Sequence, residues 1–256
     1  MQYREYGKQN RKTVVLLHGG GLSWWNFREE AELLQDTYHV ILPVLDGHTG
    51  SGRHFTTIED NAAELIALIS DRLNGSVDLL GGVSLGAQIL LEMLAHKRDI
   101  CAHAFAESAM VLPSRITARM IGPAVGCSYP LIRQKWFARL QFRSLHIQEA
   151  LFEDYYRDTC SIEKPDMIAF LRANASYPLK AALRDCAADV HVFYGEKEIR
   201  GIRKSAELIH ERIPGSTLHV LPGMQHGVFS VNHAAEYAQA VRAVLNGQQI
   251  SSACIR

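Results

Sequence analysis

The sequence predicts an α/β protein with a mainly parallel β-sheet that is flanked by helices and interrupted by a helical cap insertion. Apolar strand segments alternate with amphipathic helical segments, which is the order that parallel sheets require. Several strand segments are unbroken aliphatic stretches, as in "TVVLLHGGG" at 13–21, and such stretches indicate burial on both faces of a sheet. The chain has 256 residues and is 47% hydrophobic, so it can bury a sizeable core.

The predicted elements follow one another regularly on both sides of the insertion. Strands are predicted within "TVVLLHGGG", "YHVILPVLDGHTGSG", "SVDLLGGV", "DICAHAFAES", "ADVHVFYGEKE" and "STLHVLPGM". Helices are predicted within "FREEAELLQDT", "TIEDNAAELIALISDRL", "SLGAQILLEMLAHK", "SAELIHERI" and "HAAEYAQAVRAVL". Thr57, with Asp60 three residues later, resembles a capping box and marks one helix start.

One region departs from this alternation. Residues 111–184 contain helical patterns but no convincing strand, so they are expected to form a helical cap over the carboxyl edge of the sheet. The predicted domains are therefore a core of 1–110 and 185–256 and a cap of 111–184.

The composition excludes several classes of partner. Lys+Arg and Asp+Glu both number 27 and form no basic stripe, which argues against nucleic acid. The five cysteines are scattered and odd in number, which predicts no disulfide framework and no zinc site, and favours a reducing, cytoplasmic compartment. No apolar run reaches the roughly 20 residues of a membrane span. We expect no metal and no cofactor, and the composition predicts no particular oligomeric state.

A lone serine stands at the junction of a predicted strand and helix. Gly82-Val83-Ser84-Leu85-Gly86 matches the pattern G-x-S-x-G. A turn this sharp strains the central residue and exposes its hydroxyl, while the flanking glycines remove side chains that would clash. The amide of Leu85 would point from a helix start towards a developing oxyanion. Ser84 is the predicted nucleophile, although the motif alone also fits an ordinary turn.

A glycine run follows the first predicted strand. His18-Gly19-Gly20-Gly21 resembles the H-G-G-G motif, whose backbone donates a second oxyanion amide. Gly20 is the preferred donor and Gly21 the next choice, while His18 is expected to be structural. Gly21, Trp24 and Trp25 are candidates to line the substrate pocket, although the tryptophans fit core packing equally well.

A serine hydroxyl needs a base, and the base needs a carboxylate. His226 follows the last predicted strand in "LPGMQHGVF", where a loop histidine can reach the serine. The acid should lie between Ser84 and His226 in the chain and just beyond a strand. Glu198 is preferred, because it is three residues beyond Gly195, and Glu196 and Glu107 remain alternatives.

Together these residues resemble the α/β-hydrolase family of serine hydrolases over nearly the whole chain. "LDGHTGSG" is similar to a shortened form of the family's D-x-x-G-H-G-x-S loop, and "VFYGEKE" to its acid loop with glutamate for aspartate. The resemblance implies hydrolysis of a carboxylic ester or thioester with a small apolar group, through an acyl-enzyme on Ser84. Two alternatives remain open: a C–C bond hydrolase or lyase with the same residues, and a small-molecule receptor on this scaffold.

Overall fold

The computed structural model describes residues 1–251, and seven strands in this range form one sheet. The strands are β1 (Tyr3–Tyr6), β2 (Thr13–Leu17), β3 (His39–Pro43), β4 (Val77–Val83), β5 (Cys101–Glu107), β6 (Asp189–Gly195) and β7 (Thr217–Leu221). Their order across the sheet is β1-β3-β2-β4-β5-β6-β7. Every neighbouring pair is parallel except β1 with β3. The predicted fold class is confirmed, and each of the six predicted strands is present.

The edge strand β1 was not predicted. Its four residues are intermediate or exposed, because an edge strand pairs on one side only and needs no apolar run. The inner strands β2 and β3, by contrast, are buried at every position.

Helices cover both faces of the sheet. The helices are α1 (Arg28–Leu34), α2 (Ile58–Arg72), α3 (Leu85–His96), α4 (Arg115–Ser128), α5 (Lys135–Ser144), α6 (Phe152–Ser161), α7 (Lys164–Ser176), α8 (Arg200–Arg212), α9 (Val228–Asn232) and α10 (Ala234–Leu245). Helices α2, α3 and α8 pack on one face, and α1 and α10 pack on the other. The predicted cap of α2 is formed, since the Thr57 side chain accepts a 2.9 Å hydrogen bond from the amide of Asp60.

The chain order places a crevice beside β2. The chain leaves β2 for β3 on one side and later returns to β4 on the other, so the loops after β2 and β4 diverge. Parallel sheets bind ligands at such a switch point, outside the carboxyl ends of the strands. The glycine run after β2 and the serine after β4 both lie there.

Four helices, α4 to α7, lie between β5 and β6, in the region for which no strand was predicted. Helices α5 and α6 bury an aromatic cluster against the loop after β2, where Leu22 and Trp25 meet Phe142, Phe152 and Tyr155. Helix α7 packs against α2 and α3. The boundaries 1–110, 111–184 and 185–256 remain a prediction.

Within residues 1–251, no helix is both long and apolar enough to cross a bilayer. The four cysteines in the described part of the chain are free thiols, and Cys254 lies outside it.

Candidate active site

Ser84 occupies a strained turn between β4 and α3. Its backbone has φ 53° and ψ −113°, a left-handed conformation that a non-glycine residue adopts at a cost. Gly82 and Gly86 flank the turn, and neighbouring backbone lies so close to both that neither position has room for a side chain. A Cβ on Gly82 would lie 2.6 Å from the backbone of Gly86, and a Cβ on Gly86 would lie 2.2 Å from the carbonyl oxygen of Leu17. The tight packing of β2, β4 and α3 therefore holds the serine in this conformation.

His226 lies on the loop after β7 and reaches Ser84. The ring Nε2 is 3.0 Å from Ser84 Oγ, and the ring Nδ1 is 2.8 Å from Glu198 Oε2. An ionised carboxylate only accepts hydrogen bonds, so Nδ1 carries the proton and Nε2 is free to accept from the serine hydroxyl. The His226 side chain is 47% exposed, whereas that of Glu198 is fully buried.

Glu198 is held in place by donors other than the histidine. Its Oε1 accepts a 2.6 Å bond from Ser108 Oγ and a 3.1 Å bond from the amide of Gly195. Ser108 Oγ in turn accepts from the amide of Gly227, next to His226 in the chain. Each carboxylate oxygen therefore has a fixed partner, and the carboxylate cannot rotate away from the ring.

The sequence analysis gave Ser108 no role. Its φ of 56° turns the chain back at the end of β5, and this turn directs its hydroxyl towards Glu198. A role for Ser108 could have been predicted from its position directly after Glu107, at the end of a predicted strand.

The two alternative carboxylates occupy other places. Glu107 is buried and accepts bonds from the amides of Phe229 and Ser230 in the first turn of α9. Burial raises the pKa of Glu107 to about 7, although its bonds to Ser230 oppose the shift. Glu196 is exposed and accepts from the amide of Gly223. Of the three candidates, only Glu198 has a hydrogen bond to His226 within the described chain.

The glycine loop after β2 leaves one amide available. The amide of Gly19 donates to Asn26 Oδ1, and that of Gly21 donates to His48 Nε2. The Gly20 amide has no such partner among residues 1–251, and Gly20 lies beside the side chain of Leu85. Leu85 is the first residue of α3, so its amide has no partner within its own helix.

Two buried histidines fix this loop in place. His48 accepts from Gly21, stacks on Phe170 at 4.6 Å, and has its pKa lowered by burial to about 4. His18 Nε2 accepts from the amide of Leu45, and burial lowers the pKa of His18 well below its usual value. Both rings are therefore neutral at neutral pH, and the structural interpretation of His18 fits these contacts. The sequence analysis gave His48 no role.

Neither tryptophan lines the cavities beside Ser84. Trp25 is buried in the aromatic cluster of α5 and α6, and its Nε1 donates to Asp158 Oδ2. The guanidinium groups of Arg4 and Arg28 lie 5.2 and 5.9 Å from the centre of the Trp24 ring. Gly21 also lies outside the cavity walls. The core-packing interpretation fits both tryptophans, because the loop after β2 turns them towards α6 and α1 and away from the serine.

Two cavities meet at Ser84 and His226. One has a volume of about 130 Å³ and is mostly apolar; its walls include Leu22, Val83, Leu145, Ile147, Val228 and Val231. The other has a volume of about 330 Å³ and carries polar groups; its walls include Met110, Asn174, Lys197, Ile199, Ile202 and Gln225. A carbonyl carbon at Ser84 Oγ would thus have a small apolar space on one side and a larger mixed space on the other.

Comparisons with known proteins agree with this architecture. The family model described as the alpha/beta hydrolase family matches residues 14–240. An uncharacterized hydrolase, YugF, from Bacillus subtilis (strain 168) is 33% identical over 101 residues, which make up 38% of this chain and 37% of that protein.

Solved structures share the fold at low identity. A thermophilic esterase from Thermogutta terrifontis superposes with a TM-score of 0.77 at 20% identity, over 96% of this chain and 93% of that one. A carboxylesterase structure from Nitrososphaera gargenis gives a TM-score of 0.77 at 17% identity, over 96% and 95%.

Proposed function

This chain belongs to the alpha/beta hydrolase family, and on that premise we propose that it is a serine hydrolase that cleaves a small carboxylic ester or thioester. The observation that carries the proposal is the hydrogen-bonded series Ser84–His226–Glu198, with separations of 3.0 and 2.8 Å. This is the geometry in which an imidazole removes the proton of a hydroxyl nucleophile.

The proposed reaction has two steps. Ser84 Oγ attacks the carbonyl carbon while His226 Nε2 takes the hydroxyl proton, and the amides of Gly20 and Leu85 stabilise the oxyanion. His226 then gives that proton to the leaving alcohol or thiol, which departs from the acyl-enzyme. In the second step His226 takes a proton from water, the resulting hydroxyl attacks the acyl carbon, and Ser84 regains its proton. Buried Glu198 keeps the ring in the required tautomer throughout.

The two cavities support the proposed substrate class. The apolar cavity, with a volume of about 130 Å³ against about 330 Å³ for the other, is the smaller of the two and suits a short acyl chain. The larger cavity, with Asn174, Lys197 and Gln225, suits a more polar leaving group. Residues 111–184 act as a cap in this proposal, because Leu145, Ile147 and Asn174 contribute to the cavity walls.

The first test is hydrolysis of p-nitrophenyl esters by the wild type and by Ser84→Ala. We expect turnover by the wild type and a loss of about 10⁶ in kcat, to background, in the variant, because no other group in the series is a nucleophile. A variant with undiminished turnover would exclude Ser84. If the wild type cleaves neither esters nor thioesters, the proposal fails, and a search for a tightly bound ligand would then test the receptor alternative.

The acyl-length profile tests the assignment of the small cavity. We expect kcat/KM to be highest for acetyl to butyryl esters and to fall for longer chains. Leu145→Ala removes a partly exposed side chain from the cavity wall and so makes room for a longer acyl chain. Because burial of one methylene is worth about 0.8 kcal/mol, we expect kcat/KM to rise about fourfold for each additional acyl methylene that fits into this space. Leu140→Ala, at an exposed position on α5 outside both cavities, is the control and should leave the profile unchanged. A shift of the profile in both variants would contradict the assignment.

We also propose a cytoplasmic location, supported by the free thiols of the four described cysteines.

A further inference from the structure

Three histidines and an aspartate converge at the end of the sheet opposite Ser84. His103 lies on β5, Asp189 and His191 lie on β6, and His219 lies on β7. We call these four residues the histidine cluster. The strand register pairs His103 with Asp189 and Phe193 with His219, so all four side chains lie on the same face of the sheet. Asp189 begins β6 and Gly195 ends it, so Asp189 lies about 20 Å, and His191 about 13 Å, from the strand end that precedes the Glu198 loop.

Asp189 Oδ2 is the centre of the cluster. It lies 3.2 Å from His103 Nδ1 and 3.2 Å from His191 Nε2. One ligand atom from each of these three residues lies within 4.8 Å of the other two. Zinc binds imidazole nitrogen at about 2.0–2.1 Å and carboxylate oxygen at about 2.0–2.2 Å, so tetrahedral ligands lie about 3.3–3.5 Å apart. The two spacings that involve Asp189 are close to that requirement, and the two histidine nitrogens lie within 4.8 Å of each other, so small side-chain movements would complete the site.

The fourth member of the cluster, His219, orients the buried ring of His191. His219 Nε2 is 3.0 Å from His191 Nδ1, and the two rings stack at 5.3 Å. The His219 ring also stacks on Phe193 at 4.6 Å, which fixes its own orientation. When His191 donates from Nδ1 to His219, its Nε2 carries a lone pair directed at the Asp189 oxygen. A histidine that binds a metal through one nitrogen is typically held in this way through the other.

We propose that His103, Asp189 and His191 form a binding site for a divalent transition metal ion of the zinc type, with His219 as the residue that positions His191. Two imidazoles and one carboxylate are ligands that zinc accepts, and they leave coordination positions for water. Those positions face solvent, because the side chains of His103 and Asp189 are 25% and 48% exposed. The site would join β5 to β6, and it departs from the expectation, drawn from the sequence, that the protein binds no metal.

The test uses the untagged protein and Co²⁺ alone, with Zn²⁺ as the competitor. We expect one equivalent of Co²⁺ to give the visible absorption of a low-coordinate site, Zn²⁺ to abolish it, and Zn²⁺ to raise the Tm. His103→Gln and Asp189→Asn change ligands that are at least partly exposed and should keep the fold, as checked by circular dichroism. Each should weaken binding at least tenfold and remove the Tm shift.

His219→Phe tests the positioning role. It keeps an aromatic ring against Phe193 but removes the acceptor for His191, so we expect affinity for Co²⁺ about 10- to 100-fold lower at the same stoichiometry. His54→Gln is the matched control, because His54 belongs to the other group of possible metal ligands, with Glu163 and Asp166. Equal binding by the wild type and by His103→Gln, or a loss of binding confined to His54→Gln, would overturn the proposal. Ester hydrolysis does not enter the test, so its result is independent of the proposed function.

Discussion

At the scale of single residues, the site depends on which carboxylate faces His226. Three glutamates lie at or just beyond the carboxyl ends of strands, and they differ chiefly in their hydrogen-bond partners. Glu198 bonds to the ring, Glu107 bonds to the amides of α9, and Glu196 bonds to Gly223. The role of each is therefore set by the hydrogen-bond donors around it.

This difference gives a prediction for kcat. Glu198→Gln keeps the size of the side chain but removes the charge that stabilises the imidazolium and fixes its tautomer, so we expect kcat to fall about 10⁴-fold. Glu196→Gln is the matched control, and we expect its kcat to remain within about tenfold of the wild type. Steady-state kinetics on a p-nitrophenyl ester would measure both, and the assignment fails if the two variants lose activity equally.

At the scale of elements, the turn from β4 to α3 is set by backbone packing. Gly86 allows the start of α3 to approach the end of β2 more closely than any side chain permits. Because β2 and β4 are neighbours in the centre of the sheet, neither can move aside. The glycine is thus a requirement of the fold as well as of the serine's exposure.

Gly86→Ala tests this close approach. Its Cβ would lie 2.2 Å from the carbonyl oxygen of Leu17, so we expect the free energy of unfolding to fall by about 2–3 kcal/mol. Gly126→Ala in α4 is the control, since its Cβ meets only the end of a lysine side chain and a helical alanine gains about 0.5–1 kcal/mol. Urea unfolding measures both changes, and a neutral Gly86→Ala would refute the packing argument.

At the scale of the whole molecule, the fold carries a buried carboxyl group with a pH-dependent effect on stability. Burial raises the pKa of Glu107 from its ordinary value near 4.5 to about 7. Between these values the unfolded chain has lost the proton and the folded chain keeps it. The contribution of Glu107 to stability is therefore fully present below pH 4.5 and is lost as pH rises towards 7.

Glu107→Gln should remove this pH dependence. We expect the free energy of unfolding of the wild type, relative to the variant, to fall by up to about 1.4 kcal/mol for each pH unit between pH 5 and 7. Urea unfolding at several pH values gives the difference directly, and Glu211→Gln on the exposed side of α8 is the control. A difference that is constant or rises with pH would show that Glu107 is ionised in the folded protein.

The sequence by itself determined the elements of the core and the chemistry at their ends. Alternating apolar and amphipathic segments specify six strands and their helices, because local periodicity reports which faces are buried. The motif around Ser84 and the loop around His226 were also recognisable, since both follow buried strands. The edge strand β1 was missed, because its half-exposed residues carry no such pattern.

Only the tertiary structure decided which distant groups meet. The sequence favoured Glu198 but left Glu107 and Glu196 open, and the fold separates the three through donors such as Ser108, which is 90 residues from Glu198. The positions of Trp24 and Trp25 and the convergence of the histidine cluster depend in the same way on packing between remote segments. The local pattern of apolar residues in a sequence indicates which faces of an element are buried. Contacts between side chains that are distant in the chain depend instead on strand order and register, and these are set by long-range packing.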